Sequence, residues 1–217
     1  MNYLTKRILT SIVLMLLVYF SLINTFVLFL LLIILNLLSL SEFSKIFKNI
    51  FRKKIFLIFI SNCFSVLYLS AFSIILWIHL YESDYAQIIS LLLILVICAS
   101  SDIGGFVFGK LIGGRKLTKI SPNKTYSGMI GSFVFSLIFG FFIVHTQGEF
   151  LKFNIDALII ILLVSSISQL GDLIISFLKR KAKIKDTGTI LPGHGGILDR
   201  IDGILVALPL GIILISI

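Results

Sequence analysis

Residues 6–54 read KRILTSIVLMLLVYFSLINTFVLFLLLIILNLLSLSEFSKIFKNIFRKK, and the division of this stretch decides the fold. Its apolar block, Ile8–Leu40, is too long for one upright helical crossing and short for two, because a hydrocarbon core of about 30 Å takes roughly 20 helical residues. The flanks settle the matter. Lys6 and Arg7 precede the block, and Lys45, Lys48, Arg52, Lys53 and Lys54 follow it. Basic flanks stay cytoplasmic, so the block is expected to go out and return, turning near Asn24, with tilt or a partly re-entrant path absorbing the short legs.

The same rule orders the rest of the chain. Ile55–Ile78 crosses outward, Tyr85–Ser101 returns, Met129–Val144 goes out, Ala157–Leu178 returns and Ile204–Ile217 goes out. Two basic loops, one with Lys110, Arg115, Lys116, Lys119 and Lys124, the other running from Lys179 to Arg200, then face the cytoplasm. All but Lys152 of the 19 basic residues fall on that side. The reading is an all-α, polytopic transmembrane bundle of about seven spans with a cytoplasmic N-terminus. It forms one integral-membrane domain over residues 1–217, with a hairpin at 1–54. The basic start is not followed by a small-x-small cleavage site, so it is expected to remain as an anchor.

Composition agrees. Of 217 residues, 58% are hydrophobic and 13% charged, with a mean hydropathy of +1.12, which suits neither a soluble domain nor a nucleic-acid partner. Cys63 and Cys98 fall inside spans and read as small apolar fillers.

Ionisable residues within or beside spans carry the chemistry, because a charge in hydrocarbon must be paired or solvated. Asp172 lies about two turns from the cytoplasmic end of its span. Ser165, Ser168, Gln169, Ser176 and Lys179 share its helix face. Serines in such a stripe can equally be helix–helix contacts. After the span come Lys179-Arg180, Lys185-Asp186-Thr187-Gly188, Pro192-Gly193-His194-Gly195-Gly196 and Asp199-Arg200-Ile201-Asp202. Asp199 and Asp202 are three apart, one helical turn, and carboxylates that close repel unless a cation intervenes or one is protonated. Hard oxygens near phosphate suit Mg²⁺, and Asp172 would complete a three-carboxylate site with room for a second cation. A solvated helix cap is the plainer alternative. The first basic loop adds Asp102-Ile-Gly-Gly, Gly113-Gly114-Arg115-Lys116 and Ser121-Pro122-Asn123-Lys124-Thr125, a pattern suited to a triphosphate or a lipid phosphate, or simply to anionic headgroups. It lacks GxxxxGK[ST], so an ATPase-type phosphate loop is not supported. His194, set among glycines in a loop, could bind phosphate, donate a proton or cap a helix.

Together these residues resemble the phosphatidate cytidylyltransferase (CDP-diacylglycerol synthase) family. The run from Ser176 through Lys179-Arg180, Lys185-Asp186-Thr187-Gly188 and Leu191-Pro192-Gly193-His194-Gly195-Gly196 to Asp199-Arg200-Ile201-Asp202 is similar to its defining pattern. Gly171-Asp172-Leu173, Ser121–Thr125 with Gly128, and Asp102 agree with it too. The resemblance covers Ala99–Leu205 by motif and the hairpin ending in Glu42-Phe43 by layout. Two family acids are missing here, replaced by Tyr126-Ser127 and Ile175. The resemblance implies the reaction of CTP with phosphatidate to give CDP-diacylglycerol and pyrophosphate. Asp172, Asp199 and Asp202 would hold Mg²⁺. Lys124, Lys179, Arg180, Lys185 and Arg200 would neutralise phosphates, Ser121 and Ser176 would add hydrogen bonds, and Asn123, Thr125, Asp186 and His194 would line the substrates. It further implies a bacterial inner-membrane protein with its site facing the cytoplasm, and a homodimer.

Two rivals remain in view. A CDP-alcohol phosphotransferase needs DxxDGxxAR followed by GxxxDxxxD, which is absent, while a CTP-using polyprenol kinase would not predict the whole Lys179–Asp202 pattern. An ion-coupled transporter using Asp172 would show charges in several spans and an internal repeat.

Overall fold

The computed structural model describes residues 3–81, 84–118, 120–147, 155–190 and 195–216. They form seven helices: α1 (Tyr3–Ile23), α2 (Thr25–Phe51), α3 (Ile55–Tyr81), α4 (Tyr85–Leu111), α5 (Tyr126–Thr146), α6 (Ile155–Lys181) and α7 (Leu198–Ser216). Among the described residues five of them, α2 to α6, are long and apolar enough to cross a membrane. The first apolar block breaks at Asn24, whose side chain accepts the Phe26 and Val27 amides and caps α2. That polar cap is the physical reason for the turn: the orphan N–H groups of a helix start need an acceptor that lipid cannot supply.

The chain folds as two compact units, Met1–Glu82 with Leu178–Ile201, and Ser83–Phe177 with Asp202–Ile217. In the first, α2 and α3 pair through polar contacts inside apolar faces: Asn36 Nδ2 donates to Ser73 Oγ at 2.9 Å and Ser44 Oγ to Asn62 Oδ1 at 2.8 Å. Phe29 packs edge-on against Trp77. Only 17% of the most apolar window of α3 is buried, and Phe56, Phe64 and Leu67 point outward, as a lipid-facing helix requires.

In the second unit α4 runs ten residues past Ser101, so Asp102 and Gly104-Gly105 are helical and do not begin the basic loop. Glycine normally weakens a helix, but here it permits close approach. A Cβ on Gly104 would meet Phe135 Cβ at 2.8 Å, and one on Gly105 would lie 2.7 Å from Ser132 Oγ. Serines finish the seam between helices. Ser132 donates to the Ser101 carbonyl at 2.7 Å, Ser136 to Ser165 at 3.0 Å and Ser165 to Ser101 at 3.3 Å. Ser165 and Ser168 of the polar stripe are therefore packing residues, both buried.

Candidate functional site

In the second unit residues 115–117 and 124–126 pair antiparallel, with Leu117 N–H donating to the Lys124 carbonyl and Tyr126 N–H to that of Arg115. Ser121-Pro122-Asn123-Lys124 closes it: Lys124 N–H returns to the Ser121 carbonyl at 3.1 Å, and proline at the second position supplies the φ such a turn needs. Gly113 ends α4 at φ +63°, the left-handed conformation glycine takes at a helix C-terminus. Thr125 caps α5 by accepting the Gly128 amide at 3.1 Å. Turn and cap together hold Lys124 so that its ammonium pairs with Asp172 on α6. Ser176 Oγ donates to Asp172 Oδ1 at 3.4 Å. Both members of the pair keep about a quarter of their side chains exposed, at 26% and 27%. The turn and the α6 carboxylate, over forty residues apart in sequence, thus meet in one unit.

Asp202 begins the part of α7 in this unit, and its Oδ1 accepts the Gly203 amide at 2.9 Å. Here α7 crosses α6 closely. A Cβ on Gly171 would sit 2.7 Å from the Asp202 carbonyl oxygen, and one on Gly203 would sit 2.6 Å from Ser168 Oγ. Asp172 and Asp202 each adjoin this crossing. The sequence Gly171-Asp172 therefore has a steric meaning: the glycine lets α7 approach, and the carboxylate stands beside it.

In the first unit Asp199 is the hub. Lys179 Nζ donates to Oδ1 at 2.8 Å, while Oδ2 accepts Thr187 N at 2.8 Å, Gly196 N at 3.0 Å and Thr187 Oγ1 at 3.1 Å. Burial raises the Asp199 pKa, but the Lys179, Gly196 and Thr187 hydrogen bonds and the Lys179 charge outweigh it, holding it below the ordinary carboxylate value. A depressed carboxyl stabilises the fold above its unfolded pKa and ceases to as pH falls through the folded one. Wild-type protein is therefore expected to out-melt Asp199→Asn by a constant margin at neutral pH. Melting scans of both in detergent should show the margin closing only at pH below the ordinary carboxylate range, and a constant margin down to acid pH would contradict the assignment.

A second buried carboxylate completes this hub. Glu42 of α2 is fully buried and accepts three bonds: Thr187 Oγ1 at 2.6 Å, Ile197 N at 2.9 Å and Leu198 N at 2.9 Å. It caps the N-terminus of α7 from another helix, with the negative charge at the positive end of the dipole. Gly188 and Gly196 pack on it, and a Cβ at either would come within 2.7 Å of a carboxylate oxygen. The sequence reading used Glu42 only as a landmark. The signal that could have found it is a lone acid at the end of an apolar block.

The other expected binding residues are placed as follows. Arg180, Lys185, Asp186 and Arg200 are exposed in the first unit, and Ser121 and Asn123 lie in the turn before Lys124. His194 lies outside the described residues. Among the described residues no three His, Cys, Asp or Glu side chains form a group able to hold a metal ion. The oxygens of Asp199 are engaged by Lys179, Thr187 and Gly196. Asp172, engaged by Lys124 and Ser176, and Asp202, which accepts the Gly203 amide, carry hard oxygens of the kind Mg²⁺ takes, commonly from one or two carboxylates together with substrate phosphates.

Comparisons with known proteins identify the family. The model of the cytidylyltransferase family matches residues 53–217. A phosphatidate cytidylyltransferase of Staphylococcus saprophyticus is 42% identical over 146 residues, covering 65% of this chain and 55% of the relative. Proteins of the same name from Helicobacter pylori and Haemophilus influenzae are 40% identical over 117 residues and 36% over 135, covering 54% and 60% of this chain and 43% and 47% of themselves. The chain spans about half the length of these relatives. The matched span includes Lys124, Asp172, Lys179 and Asp199, with Glu42 before it, and the chain belongs to the cytidylyltransferase family.

Proposed function

We propose that this chain transfers the cytidylyl group of CTP to phosphatidate, releasing pyrophosphate, at a site facing the cytoplasm of a bacterial inner membrane. The observation that carries the reading is the meeting of Lys124, from a basic turn, with Asp172, from a membrane helix. A phosphate oxygen of phosphatidate attacks the α-phosphorus of CTP, the bond to the β-phosphate oxygen breaks, and pyrophosphate leaves in line. The attacking group is already an anion at neutral pH, so no general base is required. The protein's task is to gather anions and offset developing charge. Lys124 is the cation for that task in its unit, with Ser121, Asn123 and Thr125 around it and Ser176 orienting Asp172. Lys179, fixed by Asp199, and the exposed Arg180, Lys185 and Arg200 are assigned to the triphosphate, with Asp186 and His194 lining the same segment. Mg²⁺, held by Asp172 and Asp202 and by substrate phosphate, would neutralise charge on the phosphates when bound. Asp199 is assigned to positioning Lys179. A site at the bilayer edge suits a water-borne nucleotide and a lipid acceptor, and a homodimer remains part of the proposal.

The test uses membranes carrying the full chain. Labelled CTP is expected to enter a chloroform-soluble product only when phosphatidate and Mg²⁺ are both present. A water-soluble product, or label transferred to a polyprenol without phosphatidate, would overturn the reading.

A further inference from the structure

Two residues other than glycine have positive φ among the described residues, Arg52 at +47° and Lys183 at +58°. Both are cations just past a helix end. Arg52 N–H donates to the Lys48 carbonyl at the close of α2, and Lys183 N–H to that of Arg180 at the close of α6. Glycine is the usual choice at such positions, and a residue with a Cβ is strained there. Lys48 and Lys181, in the last turns of the same helices, oppose the negative dipole ends, which accounts for those two. It does not account for a cation at each strained position.

All four line one open surface hollow of about 440 Å³, together with Asn49, Ile50 and Ala182, and among the described residues no carboxylate lines it. Lys48, Arg52 and Lys183 are exposed and bring like charges together at this hollow, an arrangement that an anion seated there would relieve. We propose that this cavity binds a phosphate-bearing anion, with Arg52 offering its forked donors and Lys48, Lys181 and Lys183 supplying charge. None of these four is among the residues assigned to CTP or phosphatidate, so the proposal does not rest on that reading. The anion could be a lipid headgroup or a soluble phosphate, which present the same chemistry.

The test uses the full chain in phosphatidylcholine nanodiscs. One arm adds inorganic pyrophosphate, the other replaces part of the lipid with phosphatidylglycerol, and both follow the melting temperature across a titration. The Arg52→Gly/Lys183→Gly variant relieves both strained positions, so its melting temperature without anion should not fall. Its half-saturating anion level should rise at least about tenfold. A response to pyrophosphate alone assigns the site to a soluble phosphate, and a response to phosphatidylglycerol alone assigns it to a headgroup; either supports the proposal. Equal responses from wild type and the glycine variant would overturn it. So would a response abolished by Lys124→Ala but kept by the glycine variant.

Discussion

Glu42→Ala is expected to leave little folded protein. Its carboxylate is the acceptor for Thr187 Oγ1 and for the Ile197 and Leu198 amides, all inside a site without water access. Thr187 Oγ1 keeps Asp199 Oδ2, but the Ile197 and Leu198 amides lose their acceptor. Each buried donor left unpaired costs about 1–3 kcal/mol, so the two cost roughly 2–6 kcal/mol before the cavity is counted. A whole domain is stable by only about 5–15 kcal/mol. Glu42→Gln keeps the volume and one acceptor oxygen but turns an NH₂ toward an N–H donor, so it should fold with a lowered melting temperature. Because Thr187 also serves Asp199, Glu42→Gln should in addition reduce turnover of CTP into lipid product. Melting curves and the labelled-CTP assay on both variants decide this. An alanine variant that melts like wild type would show that the cap is dispensable.

Asp172→Asn and Lys124→Ala are expected to behave in the opposite way. The pair is a quarter exposed, and such ion pairs contribute about 0–1 kcal/mol to stability, so both variants should fold and insert normally. Their effect should fall on the chemical step. Removing one group aimed at developing phosphate charge typically costs about 10²–10³ in kcat. The double variant should be little worse than either single one, since the residues act as a unit. Near wild-type turnover in Asp172→Asn would exclude the carboxylate from the site and, with it, the proposed hold on Mg²⁺.

Much of the fold was legible because charge flanks every apolar block. The break near Asn24 was expected from Lys6, Arg7 and the cluster Lys45–Lys54 flanking Ile8–Leu40, and α1 and α2 divide there. Helix ends were less legible. Asp102-Ile-Gly-Gly looked like a loop because glycine breaks helices in water, whereas between two packed membrane helices its missing side chain is what allows contact. Asp172 with Lys124 was legible as chemistry in two separate segments. Asp199 was legible as an important acid, but two of its four donors are backbone amides, which no residue letter reveals. Glu42 was hidden for the same reason, since two of its three partners are amides more than 150 residues away.

That separation bears on how the protein is made. Glu42 leaves the ribosome before its donors, and Thr187, Ile197 and Leu198 follow 145 to 156 residues later. At synthesis rates of about 5–20 residues per second the wait is roughly 7–30 seconds. During that interval α1, α2 and α3 can already be in the bilayer, with a carboxylate at the end of α2 that has yet to meet its donors. Closure of this hub must then wait until residue 198 has emerged, and chains stalled before it would expose an unsatisfied acid to the quality-control machinery of the membrane.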